Sequence, residues 1–520
     1  MKKTLLMLVA LLATTTMFAD AGWSEPKKFS PVTNGEELYD VHTVVAADGS
    51  AYASSSITKE LSFGGYTLTP AIAGSTCIVK YDSEGNEKWA ILFSGANSLN
   101  GLAVDADGAL YATGMIAESS VEFIGTDGNS KTLSNPTKFD PIWGEEVISG
   151  YAAYIVKITP AGVITDAITV EPSGPEGAYY GEALVSPNKI VVDNGKVYVS
   201  CFYQGDVPAL SWTGKYVTMM DYETFETSYL GDIRSAGLFT VNSSDLSGLT
   251  GLANLQATND ADLFDENPLQ CAPEAFTFVV SSGLVGVGFI GWGNVTLSVP
   301  GQEARNFNFE MQGGGVNEHA LVMSLLTDIN NMTKIFHATP YDNQGFAQYN
   351  LMADVTGTNV ILGGTFYGSF PLDNTVTKDK NTSFVASVPM MSTGSGWAKI
   401  NEAEEESFAT RMIVTPEEIH AATKAYNFTY DTSVGTLKGS EGKGYNDASV
   451  SNDTYVSLVY TEGTDVCVME IHMNPSAVTE VKAASAVGTK FYSIGGMEIA
   501  APQKGLSIVK TADGVVKIAK

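Results

Sequence analysis

Cationic side chains are scarce in this sequence, and their scarcity excludes whole classes of partner. The 520 residues include 29 Lys and Arg against 58 Asp and Glu, which gives a formal net charge of −29 at pH 7. Nucleic acids and anionic membranes are bound through clusters of Lys and Arg that neutralise phosphate groups. Neither is therefore expected as a partner, and the acidity is interpreted as a means of keeping an extracellular protein soluble.

Cysteine is also scarce, with four residues in the whole chain: Cys77, Cys201, Cys271 and Cys467. Four cysteines in so long a chain do not form a disulfide framework. Each lies on or beside an apolar run, which favours buried thiols. One bridge, between Cys201 and Cys271, stays open as an alternative.

Long hydrophobic runs are missing from the body of the chain, so no membrane-spanning helix is expected after the first residues. The one extended apolar run, Leu5 to Ala13, follows Lys2 and Lys3 and precedes Ala19-Asp20-Ala21. A basic start, a short apolar centre and a small-residue cleavage site are typical of a signal peptide. Residues 1–21 are predicted to be this peptide, and the protein is predicted to be exported.

The motifs of common catalytic and cofactor sites are absent as well. The sequence has no H-E-x-x-H, no G-x-S-x-G, no P-loop and no C-x-x-C, so no cofactor and no catalytic residue is predicted. The five histidines stand singly, whereas zinc sites usually combine two or three; no metal site is predicted. With 58 acidic residues, a carboxylate pair for glycoside chemistry cannot be assigned by spacing.

Two short acidic segments, residues 82–86 and 105–108, place alternating oxygen ligands before a glycine. Calcium loops begin in the same way but continue to a bidentate glutamate, which neither segment does. Both lie where a hairpin requires Asp and Gly. They are interpreted as turns.

What the sequence does contain is a recurring strand–turn–strand pattern of apolar runs joined by polar turns. Six copies can be aligned: VHTVVAADGSAYASS from Val41, GLAVDADGALYATG from Gly101, KIVVDNGKVYVSC from Lys189, FTFVVSSGLVGVGF from Phe276, NLMADVTGTNVILGG from Asn350 and TRMIVTPEEIHAATK from Thr410.

A third apolar strand recurs after most of these pairs. Its copies are CIVKYD from Cys77, YIVKIT from Tyr154, ALVMSL from Ala320, FVASVP from Phe384 and CVMEIH from Cys467. In the third repeat this strand is obscured, and YVTMMD from Tyr216 is the best candidate. The repeat register also favours a strand over a helix for residues 317–335.

Each repeat is thus a four-stranded meander that cannot bury both of its faces alone. Stacking such sheets in a ring hides the faces between neighbours. The predicted fold is all-β, a β-propeller of six four-stranded blades over residues 22–475. Seven blades stay open because residues 204–270 are long, and an array of β-sandwiches is the structural competitor.

The ends of the repeat region predict how the ring closes. Residues 23–30 precede the first strand pair as residues 89–94 precede the second, and the last repeat ends at its third strand. The N-terminal strand containing Trp23 is therefore predicted to complete the last blade. Cys77 and Cys467 then occupy equivalent places in neighbouring blades, too far apart for a disulfide.

Two further segments depart from the pattern. Residues 224–270 are long, polar and acidic, and they are interpreted as an insertion with one helical turn. After a small-residue linker at 476–488, residues 489–520 are predicted to form a separate β module of three short strands.

The best positive signal for a ligand is aromatic. Trp212 and Trp292 each follow a second strand, and Trp143 lies in the connection leading to the third strand of its repeat. In a propeller such connections line one face of the ring, and exposed Trp suits binding of sugars or peptides. The alternative is that each Trp covers the hydrophobic seam between blades.

The first two repeats resemble the bacterial β-propeller repeat family called SBBP. The residues that carry the resemblance are the hairpin Val104–Gly114, of the form V-D-x-x-G-x-x-Y-x-x-G, and the strand and turn Ile78–Trp89, which resembles the family's F-V-x-K-x-D-x-x-G-x-x-x-W pattern with one position fewer. Later repeats keep only the apolar skeleton. The resemblance implies a propeller and no particular activity.

The last 30 residues resemble a type IX secretion C-terminal sorting domain. The matching stretches are 492–496, 504–510 and 514–520, with Ser507 where the family usually has Tyr. The resemblance implies passage across the outer membrane, with the secretion machinery as a partner through residues 489–520. A plain C-terminal hairpin is the alternative.

Together these features predict an exported monomer, extracellular or on the outer-membrane surface, that binds a glycan or a surface protein. A carbohydrate-active enzyme, either a lyase or a hydrolase, is the alternative from another class. A structural surface or adhesin component is the third.

Overall fold

In a computed structural model of the chain, six four-stranded antiparallel sheets follow one another along the sequence and form a six-bladed β-propeller. The structure describes residues 22–23, 25–140, 144–174, 183–220, 227–262, 272–281, 283–309, 318–340, 352–356, 359–370, 373–389, 397–400, 409–414, 419–423, 429–432, 435–438, 445–451, 455–472, 490–493, 498–499, 506–511 and 514–519.

Blades 1 to 3 contain the repeats with the clearest sequence pattern. Blade 1 consists of Thr43–Val45, Ala51–Ile57, Ser75–Tyr81 and Glu87–Ser94. Blade 2 consists of Asn97–Val104, Leu110–Ile116, Ala153–Ile158 and Ile164–Val170. Blade 3 consists of Leu184–Asp193, Lys196–Gln204, Ser235–Asn242 and Thr250–Ala257.

Blades 4 to 6 complete the ring. Blade 4 consists of Ala272–Ser281, Leu284–Trp292, Glu318–Leu325 and Thr333–Pro340, and blade 5 of Met352–Thr356, Asn359–Phe370, Asp373–Pro389 and Trp397–Ile400. Blade 6 combines Tyr445–Ser451, Tyr455–Glu462 and Asp465–His472 with the N-terminal strand Lys27–Phe29. The strand predicted within residues 317–335 is thus confirmed.

The N-terminal strand closes the ring as predicted. Lys28 lies opposite Cys467 in an antiparallel register, and the short strand Gly22–Trp23 lies beside the same third strand. The Lys28 ammonium also lies 2.5 Å from the carboxylate of Glu462, which ends the second strand of blade 6. Cys77, Cys201 and Cys467 are buried free thiols, so neither a Cys77–Cys467 nor a Cys201–Cys271 bridge is formed.

The hydrophobic core is divided among the seams between neighbouring blades. Five clusters of buried side chains are described, and each combines residues of two adjacent blades: 6 with 1, 1 with 2, 2 with 3, 3 with 4 and 4 with 5. The period-2 alternation of a strand produces this division. In blade 1, for example, Cys77 and Val79 face blade 6 while Ile78 faces blade 2. The blades therefore depend on their neighbours for stability.

Two predictions about strands were wrong. The third strand of blade 3 is Ser235–Asn242 rather than YVTMMD, because Lys215–Met220 pairs instead with Thr227–Ile233 and Ala261–Asp262 in a small separate sheet. Residues 224–270 are thus only partly an insertion, since they also supply the last two strands of blade 3. The single 3-10 turn in this part of the described chain, Pro208–Leu210, precedes them.

The sixth predicted strand pair was also misplaced. The hairpin Ala409–Val414 with Ile419–Thr423 exists, but it forms a two-stranded sheet beside blades 5 and 6. Blade 6 begins instead with Tyr445–Ser451 and Tyr455–Glu462. The innermost strand of blade 6 is polar, YNDASVS, so a search for apolar runs passed over it.

Hairpins between the second and third strands extend two of the sheets. Ser120–Ile124 and Ser130–Ser134, from the repeat of blade 2, add to the outer edge of blade 1. Asn294–Ser298 and Arg305–Asn308, from the repeat of blade 4, add to blade 3 in the same way. Three other described hairpins are Leu61–Phe63 with Tyr66–Leu68, Thr137–Asp140 with Glu145–Ile148, and Thr429–Thr432 with Gly435–Lys438.

The C-terminal residues form a separate four-stranded sheet of Lys490–Ser493, Glu498–Ile499, Leu506–Thr511 and Gly514–Ala519. It has one more strand than the three predicted. The chain divides into two compact units, of which Trp23–Ile471 is one and the C-terminal segment belongs to the other.

Candidate functional site

Of the three predicted ligand-binding tryptophans, Trp212 is the one whose side chain is described. Its ring stacks on Tyr203 with 5.1 Å between centroids, and the residue is only 7% exposed. The indole occupies space that a side chain at Gly237 would fill. Trp212 therefore lies in the seam between blades 2 and 3, the position that the alternative interpretation expected.

Trp292 ends the second strand of blade 4, opposite His319, but its side chain lies outside the described residues. Trp143 lies outside them altogether. The binding roles of Trp143, Trp212 and Trp292 stay predictions.

A polar cluster that the sequence did not predict lies where the first strands of blades 1 and 2 begin. At its centre is Asp40, three residues before the first strand of blade 1, with a backbone φ of 57°. This left-handed conformation is uncommon for residues other than Gly, Asn and Asp, and such backbone outliers concentrate at functional sites.

Ser54 and Ser56 of blade 1 hold the segment that carries Asp40. The Ser54 hydroxyl donates to the Asp40 carbonyl at 2.7 Å and accepts from the His42 amide at 3.0 Å. The Ser56 hydroxyl accepts from the Tyr39 amide at 3.2 Å. Serine is unusual in the middle of a buried strand, and here it fixes the turn at Asp40 against the second strand.

A chain of hydrogen-bonding groups leads from Asp40 into the seam between blades 1 and 2. Thr76 Oγ1 lies 3.5 Å from Asp40 Oδ2 and 3.1 Å from Asn97 Oδ1. The buried Tyr154 hydroxyl donates to the Ser98 carbonyl at 3.0 Å and lies 3.3 Å from Asn97 Oδ1. Residues from both blades thus meet at this carboxyl group.

The surroundings shift the ionisation of Asp40. Burial raises the pKa of the Asp40 carboxyl to about 7, although hydrogen bonds from the Leu99 backbone and the Thr76 hydroxyl oppose the rise. A partly buried carboxyl without a cationic hydrogen-bonding partner is expected to behave in this way, because low polarisability disfavours its charged form. Asp40 therefore titrates near neutral pH.

Exposed side chains occur on the segment that carries Asp40 and on the connection that it approaches. Tyr39 is 43% exposed, and its hydroxyl comes near Gly74 in the connection between the second and third strands of blade 1. Ile72, in the same connection, is 42% exposed. Ser98 and Asn100 are partly exposed on the innermost strand of blade 2, where Ser98 donates to the Asn100 amide oxygen at 2.7 Å. We call Tyr39, Asp40, Thr76, Asn97 and Ser98 the Asp40 site.

The two calcium-like segments are turns, as interpreted. Asp82 Oδ1 accepts from the backbone amides of Glu84 and Asn86, and Asp105 Oδ1 accepts from those of Asp107 and Ala109. Among the described residues, no group of three potential metal ligands is present. No helix in the described part of the chain is long and apolar enough to cross a bilayer.

No family model and no curated protein matches this chain. Solved structures resemble it in fold over most of its length. A protein of unknown function from Dyadobacter fermentans is 13% identical, with a TM-score of 0.38, over 87% of this chain and 100% of its own. The Hadza microbial sialidase Hz136 is 7% identical, with a TM-score of 0.37, over 84% of this chain and 66% of its own.

A further similar structure is that of PorZ, described as an essential bacterial surface component of the type IX secretion system of Porphyromonas gingivalis. It is 10% identical to this chain, with a TM-score of 0.24, over 92% of this chain and 81% of its own. At this level of identity and similarity, none of these likenesses bears on activity.

Sequence reasoning missed Asp40 because no motif surrounds it. The available signal was Ser54-Ser55-Ser56 in the middle of an otherwise apolar strand of blade 1. Buried hydroxyl groups need hydrogen-bonding partners. Such a run therefore indicates that polar backbone or side chains lie against the strand.

Proposed function

We propose that this chain is an exported β-propeller that binds a glycan or protein ligand at the Asp40 site. The observation that carries the proposal is Asp40 itself: a left-handed aspartate whose carboxyl titrates near pH 7, beside an exposed Tyr39 ring. Binding sites combine exposed aromatic surface with a few fixed polar groups in this way.

Binding is the function that the site supports best because its polar groups are held by the protein. Thr76 and Asn97 are buried and hydrogen-bonded. Such groups position Asp40 rather than react themselves. Little conformational entropy is then lost when a ligand contacts the carboxyl and the ring.

A carbohydrate-active enzyme is the second candidate, and the raised pKa of Asp40 favours it, because a general acid must be protonated near neutral pH. Glycoside hydrolysis canonically uses two carboxyl groups about 5–10 Å apart. The Asp40 site as defined above supplies one of these two carboxyl groups, that of Asp40. Enzyme and binding protein can be separated by assaying sugar release from any glycan that the chain binds.

The binding proposal can be tested with the full chain on glycan and surface-protein arrays. Tyr39→Ala and Asp40→Gly are each expected to weaken the main signal at least about tenfold. Gly accepts the φ of Asp40 without strain, so Asp40→Gly removes the carboxyl while keeping the turn. Asp107→Asn, in an exposed hairpin turn between the first two strands of blade 2, is the control and should leave the signal unchanged. A signal that survives both site variants would contradict the proposal.

Export and surface attachment are part of the same proposal and rest on sequence. Residues 1–21 are proposed as the signal peptide and residues 489–520 as the segment that the type IX secretion machinery recognises. Deleting residues 489–520 is expected to leave the protein in the periplasm, as measured by cell fractionation. Unchanged surface localisation would contradict the sorting role without affecting the binding site.

A further inference from the structure

We propose that the hairpin of Thr137–Asp140 with Glu145–Ile148 is a docking edge, to which an extended, basic segment of a partner protein adds a third strand. We call this hairpin the blade 2 arm. It belongs to the connection between the second and third strands of blade 2. None of the residues that define the Asp40 site lies in the arm, so the two surfaces can be tested separately.

Three hairpins from equivalent connections are already docked on the propeller. Ser120–Ile124, which precedes the arm in the same connection, adds to the outer edge of blade 1, and its Phe123 is fully buried. Asn294–Ser298, from blade 4, adds to blade 3. Leu61–Phe63, from blade 1, packs into the seam between blades 6 and 1. Among the described strands, those of the arm pair only with each other.

Both faces of the arm are exposed. Thr137, Lys138 and Phe139 are consecutive on one strand and all three are exposed, Phe139 by 60%. Glu145 and Glu146 are exposed on the other strand. A two-stranded hairpin is only marginally stable in water, and a third strand stabilises it. The outer edges of such a hairpin also carry backbone N–H and C=O groups that another strand can pair with.

The base of the arm is fixed to the propeller. The Asn135 side chain, 4% exposed, donates to the Ile116 carbonyl at 2.9 Å and accepts from the Ala152 amide at 2.7 Å. The Ser149 amide donates to the Pro136 carbonyl at 2.8 Å and closes the arm at its base. A partner strand therefore meets an edge that is already in position, which lowers the entropy cost of docking.

The charges of the arm favour a cationic partner. Glu145 lies opposite Asp140 in the register, and Glu146 lies opposite Phe139. Two acidic residues directly opposite each other destabilise an antiparallel pair. Lys138, the cation of the arm, is opposite neither glutamate. The net charge of −29 on the whole chain also attracts a basic partner.

The two glutamates define the sequence that the partner strand needs. Successive residues of a strand point to opposite faces, so a strand beside Glu145–Ile148 meets one glutamate on each face. Two adjacent Lys or Arg residues would answer both. Because directly opposed residues share a face, the cation that reaches Glu146 can also lie against the Phe139 ring. The partner segment is thus a basic pair flanked by β-branched residues, without proline.

The test measures binding of three labelled hexapeptides to the full chain by fluorescence anisotropy. They are Thr-Val-Lys-Lys-Val-Thr, the same peptide with Glu in place of both lysines, and the same peptide with Pro in place of both valines. The first is expected to bind at least about tenfold more tightly than the other two, because the second has the wrong charge and the third cannot form a strand.

Variants locate the probe on the arm. Glu146→Lys and Phe139→Ser are each expected to weaken binding of the lysine probe at least about fivefold. Glu122→Lys makes the same change of charge at an exposed position of the docked hairpin Ser120–Ser134, and it should leave binding unchanged, as should Asp40→Gly. Hydrogen exchange should slow at the amides of Glu145–Ile148 when the lysine probe is bound.

Each outcome decides the proposal. Selective binding of the lysine probe, weakened by both arm variants and by neither control, supports it. Equal binding of the lysine and proline probes would reduce the contact to charge and overturn strand addition. Loss of binding in Asp40→Gly would place the probe at the Asp40 site instead. Binding that survives both arm variants, or no binding of the lysine probe, overturns the proposal, and so does self-association of the chain that Phe139→Ser abolishes.

Discussion

The seams on the two sides of blade 2 differ from the seams on the two sides of blade 4 in the contacts that join the blades. Around blade 2, Tyr and Lys side chains donate hydrogen bonds to the next blade, whereas around blade 4 apolar and aromatic side chains fill the space. In blade 1, Lys80 lies opposite Tyr52, and Lys80 donates to the Pro160 carbonyl of blade 2 at 3.0 Å. In blade 2, Lys157 lies opposite Tyr111, and it donates to the Ser244 carbonyl of blade 3 at 2.7 Å.

The tyrosines of these pairs reach the next blade as well. Tyr52 donates to the Gly108 carbonyl at 3.2 Å and Tyr111 to the Ser243 carbonyl at 2.8 Å. The lysine ammonium groups lie 5.0 Å and 5.9 Å from the ring centroids of Tyr52 and Tyr111. The repeated Tyr and Lys of the first two repeats are therefore ties between blades.

Around blade 4 the ties are replaced by aromatic packing. On the third strands, the positions equivalent to Lys80 and Lys157 are Met323 in blade 4 and Ser387 in blade 5, and they lie opposite Gly288 and Ile361. The seam between blades 3 and 4 is filled by phenylalanines, among them Phe289 and Phe307 with 5.5 Å between ring centroids. The Tyr and Lys motif of the first two repeats is absent from blades 4 and 5. A propeller requires that its seams be filled, and different sets of residues can fill them.

The largest loss of stability is expected from removing an aromatic ring in the seam between blades 3 and 4. Phe289 is fully buried between blades 3 and 4, so Phe289→Ala is expected to lower the free energy of unfolding by about 3–5 kcal/mol. Urea unfolding followed by fluorescence measures the change. A loss below about 1 kcal/mol would mean that this seam does not depend on its phenylalanines.

An intermediate loss of stability is expected at Gly288 in blade 4, which lies opposite the position equivalent to the lysines. A methyl group added at Gly288 would lie 2.5 Å from Met323 Sδ, so Gly288→Ala should cost about 1–3 kcal/mol by overpacking. Met323→Ala in the same chain should recover part of that loss. A double-mutant cycle measures the coupling, and additive effects would show that the two side chains do not share the space.

Smaller effects are expected from the ties of blades 1 and 2. Tyr111→Phe and Lys157→Met each remove one hydrogen bond to a backbone carbonyl of blade 3, and each should cost about 1 kcal/mol. Thermal melts of the two variants measure the difference. Losses as large as that of Phe289→Ala would reverse the ranking of the two regions.

The stability of the chain is expected to depend on pH through Asp40, which lies beside the seam between blades 1 and 2. Because the pKa of Asp40 is raised to about 7 in the folded chain, the folded state binds more protons than the unfolded state between about pH 4 and pH 7. Stability contributed by this group therefore falls as pH rises through that range. Asp40→Asn should remove the fall and melt higher than wild type at pH 8 but not at pH 4. Parallel melting curves at all pH values would contradict the assignment.

The strands of the first two blades, where the seams repeat the same Tyr and Lys residues, were easier to predict from sequence than the strands of later blades. The first two blades could be predicted because their Asp-Gly turns, tyrosines and lysines all serve one geometry. The third strand of blade 3 could not, since SAGLFTVN contains Gly237 to accommodate Trp212, and that need arises only in the folded chain.

The candidate site was harder to predict for a related reason. Asp40 matters because a left-handed turn directs it towards residues of another blade, and periodicity reports only which face of its own strand a residue occupies. Trp212 is the opposite case. It was predicted in a ligand-facing loop, but its ring stacks on Tyr203 inside a seam.

The account depends on a ring whose last blade is completed by the N-terminal strand. Lys28 lies directly opposite Cys467, whereas Lys27 lies opposite Val468. Directly opposed residues have Cα atoms about 4.5–5.5 Å apart, within the range that a disulfide spans. Mild oxidation of Lys28→Cys, followed by peptide mass spectrometry, should join the N-terminal strand to the Cys467 peptide, and Lys27→Cys should not be joined to it. Failure of Lys28→Cys to join, or equal joining by both variants, would contradict the closure of the ring.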